Sequence, residues 1–170
     1  YMLYSVIMAG GSGTRFWPLS RNDTPKQVIN ILGKNSLIVD TIDRIKDLIP
    51  YEKIFVITNE LHQNKITELL PNIPKGNIIG EPFGKDTSVC IGLGALLISN
   101  LDPEGLMLAM PADHLIRPKQ KLYQSIKAAC EIARRSESLM VFGVKPHSNS
   151  TGYGYIKKGK KTEDIRNTSI

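Results

Sequence analysis

From Val6 to Gln27 the chain reads VIMAGGSGTRFWPLSRNDTPKQ, and the residue types in that stretch are those that hold phosphate. Gly10, Gly11, Ser12, Gly13 and Thr14 form a loop of absent or small side chains, so backbone N–H groups can approach an anion closely. Two cations follow, Arg15 within the loop and Lys26 behind Pro25, and each adds a full positive charge to the amide dipoles. Backbone donors converging with two cations suit a polyphosphate, which makes a nucleotide the first ligand to consider.

Two familiar phosphate motifs do not fit. A P-loop closes on Gly-Lys-Ser/Thr, whereas Gly13 is followed by Thr14-Arg15. A dinucleotide fingerprint needs a third glycine for tight helix packing, and the bulky Phe16 stands there instead. The glycines alone are also compatible with a plain connecting loop, so the weight falls on what lies downstream.

A second chemical position is Asp113, directly behind the apolar run Leu106-Met107-Leu108-Ala109-Met110 and Pro111-Ala112. A carboxylate so close to a buried strand either meets a cation or caps a short turn that begins at His114. Mg²⁺ takes hard oxygen ligands, commonly one or two carboxylates plus phosphate oxygens, so a lone Asp facing a phosphate loop fits a metal carried by a triphosphate. His62 and His147 show no partners at metal or catalytic spacing and are expected at the surface.

The elements that must position these residues follow from hydrophobic period. Residues 4–8, 53–58, 77–80, 106–110 and 139–144 read as short strands, and 106–110 (LMLAM) is the most continuous apolar run of all. Residues 36–49 read as a helix with Ile38, Ile42, Ile45 and Ile49 on one face, stopped by Pro50. Helices are also expected over 61–70, ended by Pro71, and over 121–135, with Leu122, Ile126, Ala129 and Ala133 on one face. Residues 88–101 are apolar almost all round, which predicts an interior helix despite Gly92 and Gly94. Strands alternating with helices at this spacing predict α/β architecture with a mostly parallel, doubly wound sheet. In such sheets ligands sit outside the carboxyl ends of the strands, and the Gly10 loop, Glu81 and Asp113 all fall at such ends.

Composition narrows the partners. At 170 residues the chain is expected to form a single domain, and 41% hydrophobic with 22% charged residues is ordinary for a globular protein. The net charge of +6 would suit nucleic acid, but four of those charges are Lys157, Lys158, Lys160 and Lys161, which leaves +2 elsewhere. Only 6% of residues are aromatic, giving few stacking platforms, so no nucleic-acid partner is expected. Cys90 and Cys130 stand alone without a CxxC and read as small buried apolar residues rather than metal ligands or a disulfide framework. No apolar run approaches about 18 residues and no signal-peptide pattern opens the chain, so no membrane association is expected and a cytoplasmic location is the default.

The segment GGSGTRFWPLSRNDTPKQ resembles the N-terminal motif of the sugar nucleotidyltransferases. Its Phe16-Trp17-Pro18-Leu19-Ser20 and Pro25-Lys26-Gln27 forms are similar to those of mannose-1-phosphate guanylyltransferases, although Trp17 also suits a core aromatic beside the loop. Pro111-Ala112-Asp113-His114 resembles the family's metal-binding stretch. Residues 81–87 (EPFGKDT) resemble the nucleoside-contacting stretch ordinarily written EPxGRNT, so Glu81 and Thr87 carry over. Lys85 and Asp86 depart from that pattern: Lys lacks the Arg fork and Asp accepts without donating, so base and ribose contacts are not carried over there. Residues 151–156 (TGYGYI) resemble the element beside the sugar, which brings Gly152, Tyr153 and Gly154 into the expected site; without the resemblance they read equally as a hairpin strand with a Gly bulge.

The resemblance implies a Rossmann-like nucleotidyltransferase fold and a reaction in which GTP and α-D-mannose 1-phosphate give GDP-mannose and pyrophosphate. It implies in-line attack on the α-phosphorus, with Arg15 on the β- and γ-phosphates, Lys26 on the α-phosphate or sugar phosphate, and Asp113 holding Mg²⁺. A sugar phosphate is already anionic and needs no general base, so His114 is given a holding role. The later EKP-type and NSG-type motifs do not occur before Ile170. The chain is therefore expected to be an N-terminal nucleotide-binding portion, binding nucleotide with little turnover. Another hexose-1-phosphate nucleotidyltransferase, making a UDP-, dTDP- or CDP-sugar, remains an alternative. So does a non-catalytic nucleotide-sensing subunit, and a homo-oligomer is left open.

Overall fold

A computed structural model describes residues 2–11, 28–29, 35–84 and 86–160. It divides into two compact units, Tyr1–Lys119 and Gln120–Ile170. The first contains β1 (Leu3–Ala9), α1 (Leu37–Ile45), β2 (Ile54–Asn59), α2 (Glu60–Leu69), β3 (Ile78–Glu81), α3 (Asp86–Leu101) and β4 (Leu106–Pro111). The second contains α4 (Lys119–Ser136) from Gln120 onward.

The four strands form one sheet in the order β3-β2-β1-β4, and every pairing is parallel. This is the expected α/β architecture. The strands that lie centrally are apolar without alternation because both of their faces are covered: Val6, Ile7, Ile54, Val56 and Ile57 are completely buried. On α1 the predicted stripe is also buried, from Ile38 through Ile42 and Ile45 to Ile49. The helix itself stops at Ile45, and the amides of Leu48 and Ile49 both fold back onto the Ile45 carbonyl at 2.8 and 2.9 Å. Pro50 stops the chain from continuing beyond that turn, since the residue before a proline is pushed out of the helical region.

The glycines in α3 do not interrupt it. A Cβ on Gly94 would stand 2.6 Å from Val6 Cγ2 and 3.0 Å from Val6 Cγ1, so the missing side chain lets α3 lie directly on β1. The expectation that α3 is interior all round is corrected, however. Only Cys90, Gly94 and Ile98 are buried, while Val89, Leu96 and Leu101 are exposed, because no described element covers the outer side of the helix.

A second correction concerns residues 139–144. They pair with no strand among the described residues, and Leu139, Val141 and Val144 are exposed. Apolar period reports a preference for a buried ladder, but a ladder also needs a neighbouring edge, which sequence period does not supply. Cys90 and Cys130 are buried free thiols, as expected.

Candidate active site

The site is assembled by strand register. Asn59 at the end of β2 pairs with Glu81 at the end of β3, Thr58 pairs with Ala9, and Met8 pairs with Pro111. Carried one residue further on the first strand, these registers set Glu81, Asn59 and Gly10 in one row across the carboxyl end of the sheet, and Asp113 follows in the turn directly behind the end of β4. With strands about 4.8 Å apart, the four strand ends span roughly 14 Å. Gly10, Glu81 and Asp113, 71 and 32 positions apart in the chain, are thus brought to one end of the sheet by topology.

At the β1 exit, Ala9 is buried and Gly10 is exposed. The Ala9 carbonyl accepts a hydrogen bond from the buried Thr58 hydroxyl at 3.2 Å, which fixes the last peptide before the loop. A Cβ at position 10 would meet a Glu81 carboxylate oxygen at 3.4 Å, so Glu81 leans over the row toward Gly10. Its side chain is largely buried, 8% exposed, and that burial raises its carboxyl above the ordinary value. A carboxylate held in this way at a strand end is poised to accept hydrogen bonds from a ligand that brings its own N–H groups.

Glu81 also acts on its neighbour Cys90, whose thiol is pushed up to about 11, mainly by burial and secondarily by the Glu81 charge. Cys90 is therefore a protonated packing group and not a nucleophile. Behind Glu81 the chain enters α3 at Asp86 with φ 66°, in the left-handed region that Asn and Asp tolerate best among residues with a side chain. Asp in place of the family's Asn thus keeps the backbone entry while losing the amide donor. Thr87 lies in the first turn of this helix, whose unpaired N–H groups favour negative charge.

At the β4 exit, Ala112 is 1% exposed and is held on both sides. Its N–H donates to Met8 O at 3.0 Å, and its carbonyl accepts from the buried Thr41 hydroxyl of α1, also at 3.0 Å. Asp113 is the next residue and is partly exposed; His114 beside it is exposed. Lys119 closes the segment onto α1, donating to Asp43 O at 3.1 Å and pairing with Asp47 Oδ2 at 2.6 Å. That pairing lowers the Asp47 carboxyl below its usual value.

Among the described residues no group of three or more His, Cys, Asp or Glu side chains gathers in one place. The row therefore does not fit a metal caged by protein. One hard, partly exposed carboxylate behind β4 has the chemistry for a Mg²⁺ whose remaining ligands are phosphate oxygens and water. Ser12, Gly13, Thr14, Arg15 and Lys26 lie outside the described residues, as does Lys85.

Gly152, Tyr153 and Gly154 belong to the second unit. They sit in an exposed turn over residues 151–153 and its exit, and no hairpin strand forms there. The turn is closed by its own polar groups: the Gly152 amide donates to Ser150 Oγ at 3.2 Å, and Tyr155 OH donates to Ser150 O at 2.7 Å. In α4 the expected stripe of Leu122, Ile126, Ala129 and Ala133 is buried only at Ile126, with the other three half-buried, and Ser125 and Cys130 are buried beside it.

The expected positions Gly10, Glu81 and Asp113 stand at the exits of β1, β3 and β4, and sequence reasoning did not anticipate Thr41 and Thr58, whose hydroxyls hold the peptides there. A threonine within an apolar run carries no signal of its own. Only the register and the packing of α1 reveal what each hydroxyl holds.

A family model described as nucleotidyl transferase matches residues 4–168. A mannose-1-phosphate guanylyltransferase of Escherichia coli is 40% identical over 98% of this chain, and one of Klebsiella pneumoniae is 40% identical over 98%. The chain spans 36% of the length of each of those curated relatives. Among solved structures, one from Thermus thermophilus, described as a mannose-1-phosphate geranyltransferase, superposes with TM-score 0.69 at 26% identity. That match covers 78% of this chain and 38% of the other. No helix among the described residues is long and apolar enough to cross a membrane. With a family model spanning almost its whole length and relatives at 40% identity, the chain belongs to the nucleotidyl transferase family.

Proposed function

We propose that this chain is the nucleotide-binding part of a sugar nucleotidyltransferase that forms GDP-mannose and pyrophosphate from GTP and α-D-mannose 1-phosphate. What supports the reading is the set of strand exits at one end of the sheet: a buried carboxylate closing β3, a glycine exit behind β1 and a partly exposed Asp113 behind β4. A nucleoside triphosphate has matching chemistry, with N–H donors on a purine edge and metal-bound phosphates at the far end.

In this reading Glu81 accepts hydrogen bonds from the guanine edge, and Thr87 at the start of α3 supports the nucleoside. The amides from Gly10 and Gly11 through Ser12, Gly13 and Thr14 cradle the phosphates. Arg15 neutralises the departing β- and γ-phosphates, and Lys26 the α-phosphate or the incoming sugar phosphate. An oxygen of mannose 1-phosphate attacks the α-phosphorus, a new P–O bond forms, the bond to the bridging oxygen of the β-phosphate breaks, and pyrophosphate leaves with that electron pair. No proton has to be moved, so His114 keeps a holding role. Asp113 would hold Mg²⁺, which when bound supplies charge neutralisation to the phosphates. Gly152, Tyr153 and Gly154 would face the hexose. The reading includes no nucleic-acid or membrane partner and a cytoplasmic setting.

Calorimetry of this chain with GTP, UTP, CTP and dTTP in the presence of Mg²⁺ tests the base. GTP is expected to bind at least about tenfold more tightly than any pyrimidine nucleotide, a difference near 1.4 kcal/mol. Equal or tighter binding of a pyrimidine nucleotide overturns the guanine assignment.

A further inference from the structure

We propose that Thr41 is a positioning residue for Asp113: its hydroxyl fixes the peptide that carries the carboxylate, so that the carboxylate is presented to a divalent cation on a bound triphosphate. This rests on the reading of Asp113 as the metal-facing group.

Thr41 lies in the middle of α1 and is completely buried. A hydroxyl at such a position ordinarily bonds back to its own helix, three or four residues earlier. Other helical hydroxyls of this protein do so. Thr67 donates to Gln63 O, Ser99 to Leu96 O, Ser125 to Lys121 O and Ser136 to Ile132 O. Thr41 instead donates to Ala112 O, 71 residues away in the chain, at 3.0 Å.

The acceptor belongs to the peptide plane whose nitrogen is that of Asp113. Its residue is already tied at the other end by the bond from Ala112 N–H to Met8 O. With the amide held by β1 and the carbonyl by α1, both dihedrals around Ala112 are constrained, and so is the direction in which Asp113 leaves the sheet. The preceding residue is Pro111, which has no N–H to contribute to any ladder, so these two bonds carry the end of β4. Removing the hydroxyl would leave a buried carbonyl without a donor and let the peptide tilt. Metal coordination tolerates only small displacements of its ligands, and loss of an orienting partner commonly costs about 10- to 100-fold in metal affinity.

The test uses this chain with GTP and measures Mg²⁺ affinity by calorimetry and Mn²⁺ binding by electron paramagnetic resonance. Thr41→Val keeps the shape and removes the hydroxyl; Thr41→Ser keeps the hydroxyl. Thr41→Val is expected to weaken Mg²⁺ and Mn²⁺ binding in the presence of GTP by about tenfold or more, with metal-free GTP affinity unchanged. Thr41→Ser is expected to restore the metal affinity, which a merely structural role would not predict. Asp113→Asn serves as the reference. If Asp113→Asn weakens metal binding and Thr41→Val leaves it at the parent value, the positioning role is overturned while the reading of Asp113 stands. If Asp113→Asn itself has no effect, the reading of Asp113 fails, and the proposal with it. Should Thr41→Val not fold, Thr41→Cys, close in volume with a weaker donor, is read by the same criterion: weakened metal binding supports the role and parent affinity overturns it.

Discussion

Glu81 combines two properties that pull in opposite directions. Its burial makes the ionised form costly, yet it sits where a ligand would use that charge. Because its carboxyl is raised in the folded chain, the unfolded chain is more ionised than the folded one between the ordinary and the raised value. The stability contribution is therefore greatest below the ordinary carboxylate value and is lost as pH rises through the raised one. Glu81→Gln removes that loss, and its urea midpoint at neutral pH is expected to rise slightly above the parent. The same change replaces a charge-assisted acceptor by a neutral amide, so GTP should bind about 10- to 100-fold more weakly. In the parent, GTP affinity should fall on acidification at a pH above the usual carboxylate range, and the Gln variant should lack that step. A variant that loses stability and keeps its affinity would make Glu81 a structural residue. The contrast between Glu81 and Thr58 shows what could be read from the sequence at this scale. A carboxylate behind an apolar strand is out of place and draws notice, whereas a buried threonine is ordinary there. What Thr58 does depends on a partner 49 residues away.

Among the elements, the contact between α3 and β1 fixes where the glycine exit stands. In an exposed helix Gly→Ala gains about 1 kcal/mol from backbone propensity. At position 94 that gain is opposed by Val6, whose methyl groups already occupy the space a Cβ would need and which is itself completely buried. Overpacking of this kind costs about 1–3 kcal/mol, so Gly94→Ala is expected to be net destabilising, with a lower urea midpoint and an unchanged slope. Val6→Ala should relieve the clash, and the double variant should be more stable than the sum of the two single effects predicts. An additive cycle would mean that α3 yields without cost. The strands and helices were largely legible because their apolar periods differ, and Pro50 and Pro71 end helical stretches as prolines do. Residues 139–144 and the outer face of α3 were misread for one reason. Period states that a surface is apolar, and only the neighbours determine whether it is covered.

Across the whole molecule, the parallel order β3-β2-β1-β4 is what gives the site its extent, since it places exits distant in sequence along one edge. A ligand held by one loop would protect that loop only. A triphosphate lying along the row must touch the ends of β1, β3 and β4 together, and a ligand that binds the folded state alone raises stability as RT ln(1 + [L]/Kd), about 2.7 kcal/mol at 100 times Kd. Amide hydrogen exchange separates the two cases. With saturating GTP and Mg²⁺, residues 9–11, 81–87 and 112–114 are expected to slow together, while the opposite ends of the same strands change less. Without Mg²⁺ the protection at 112–114 should shrink first, because the proposed function gives Asp113 to the cation and Glu81 to the base. Protection confined to residues 9–11 would reduce the site to a phosphate loop and remove Glu81 and Asp113 from it. Loss of protection at 81–87 on removing Mg²⁺, with 112–114 unaffected, would reverse the direction in which the nucleotide lies along the edge.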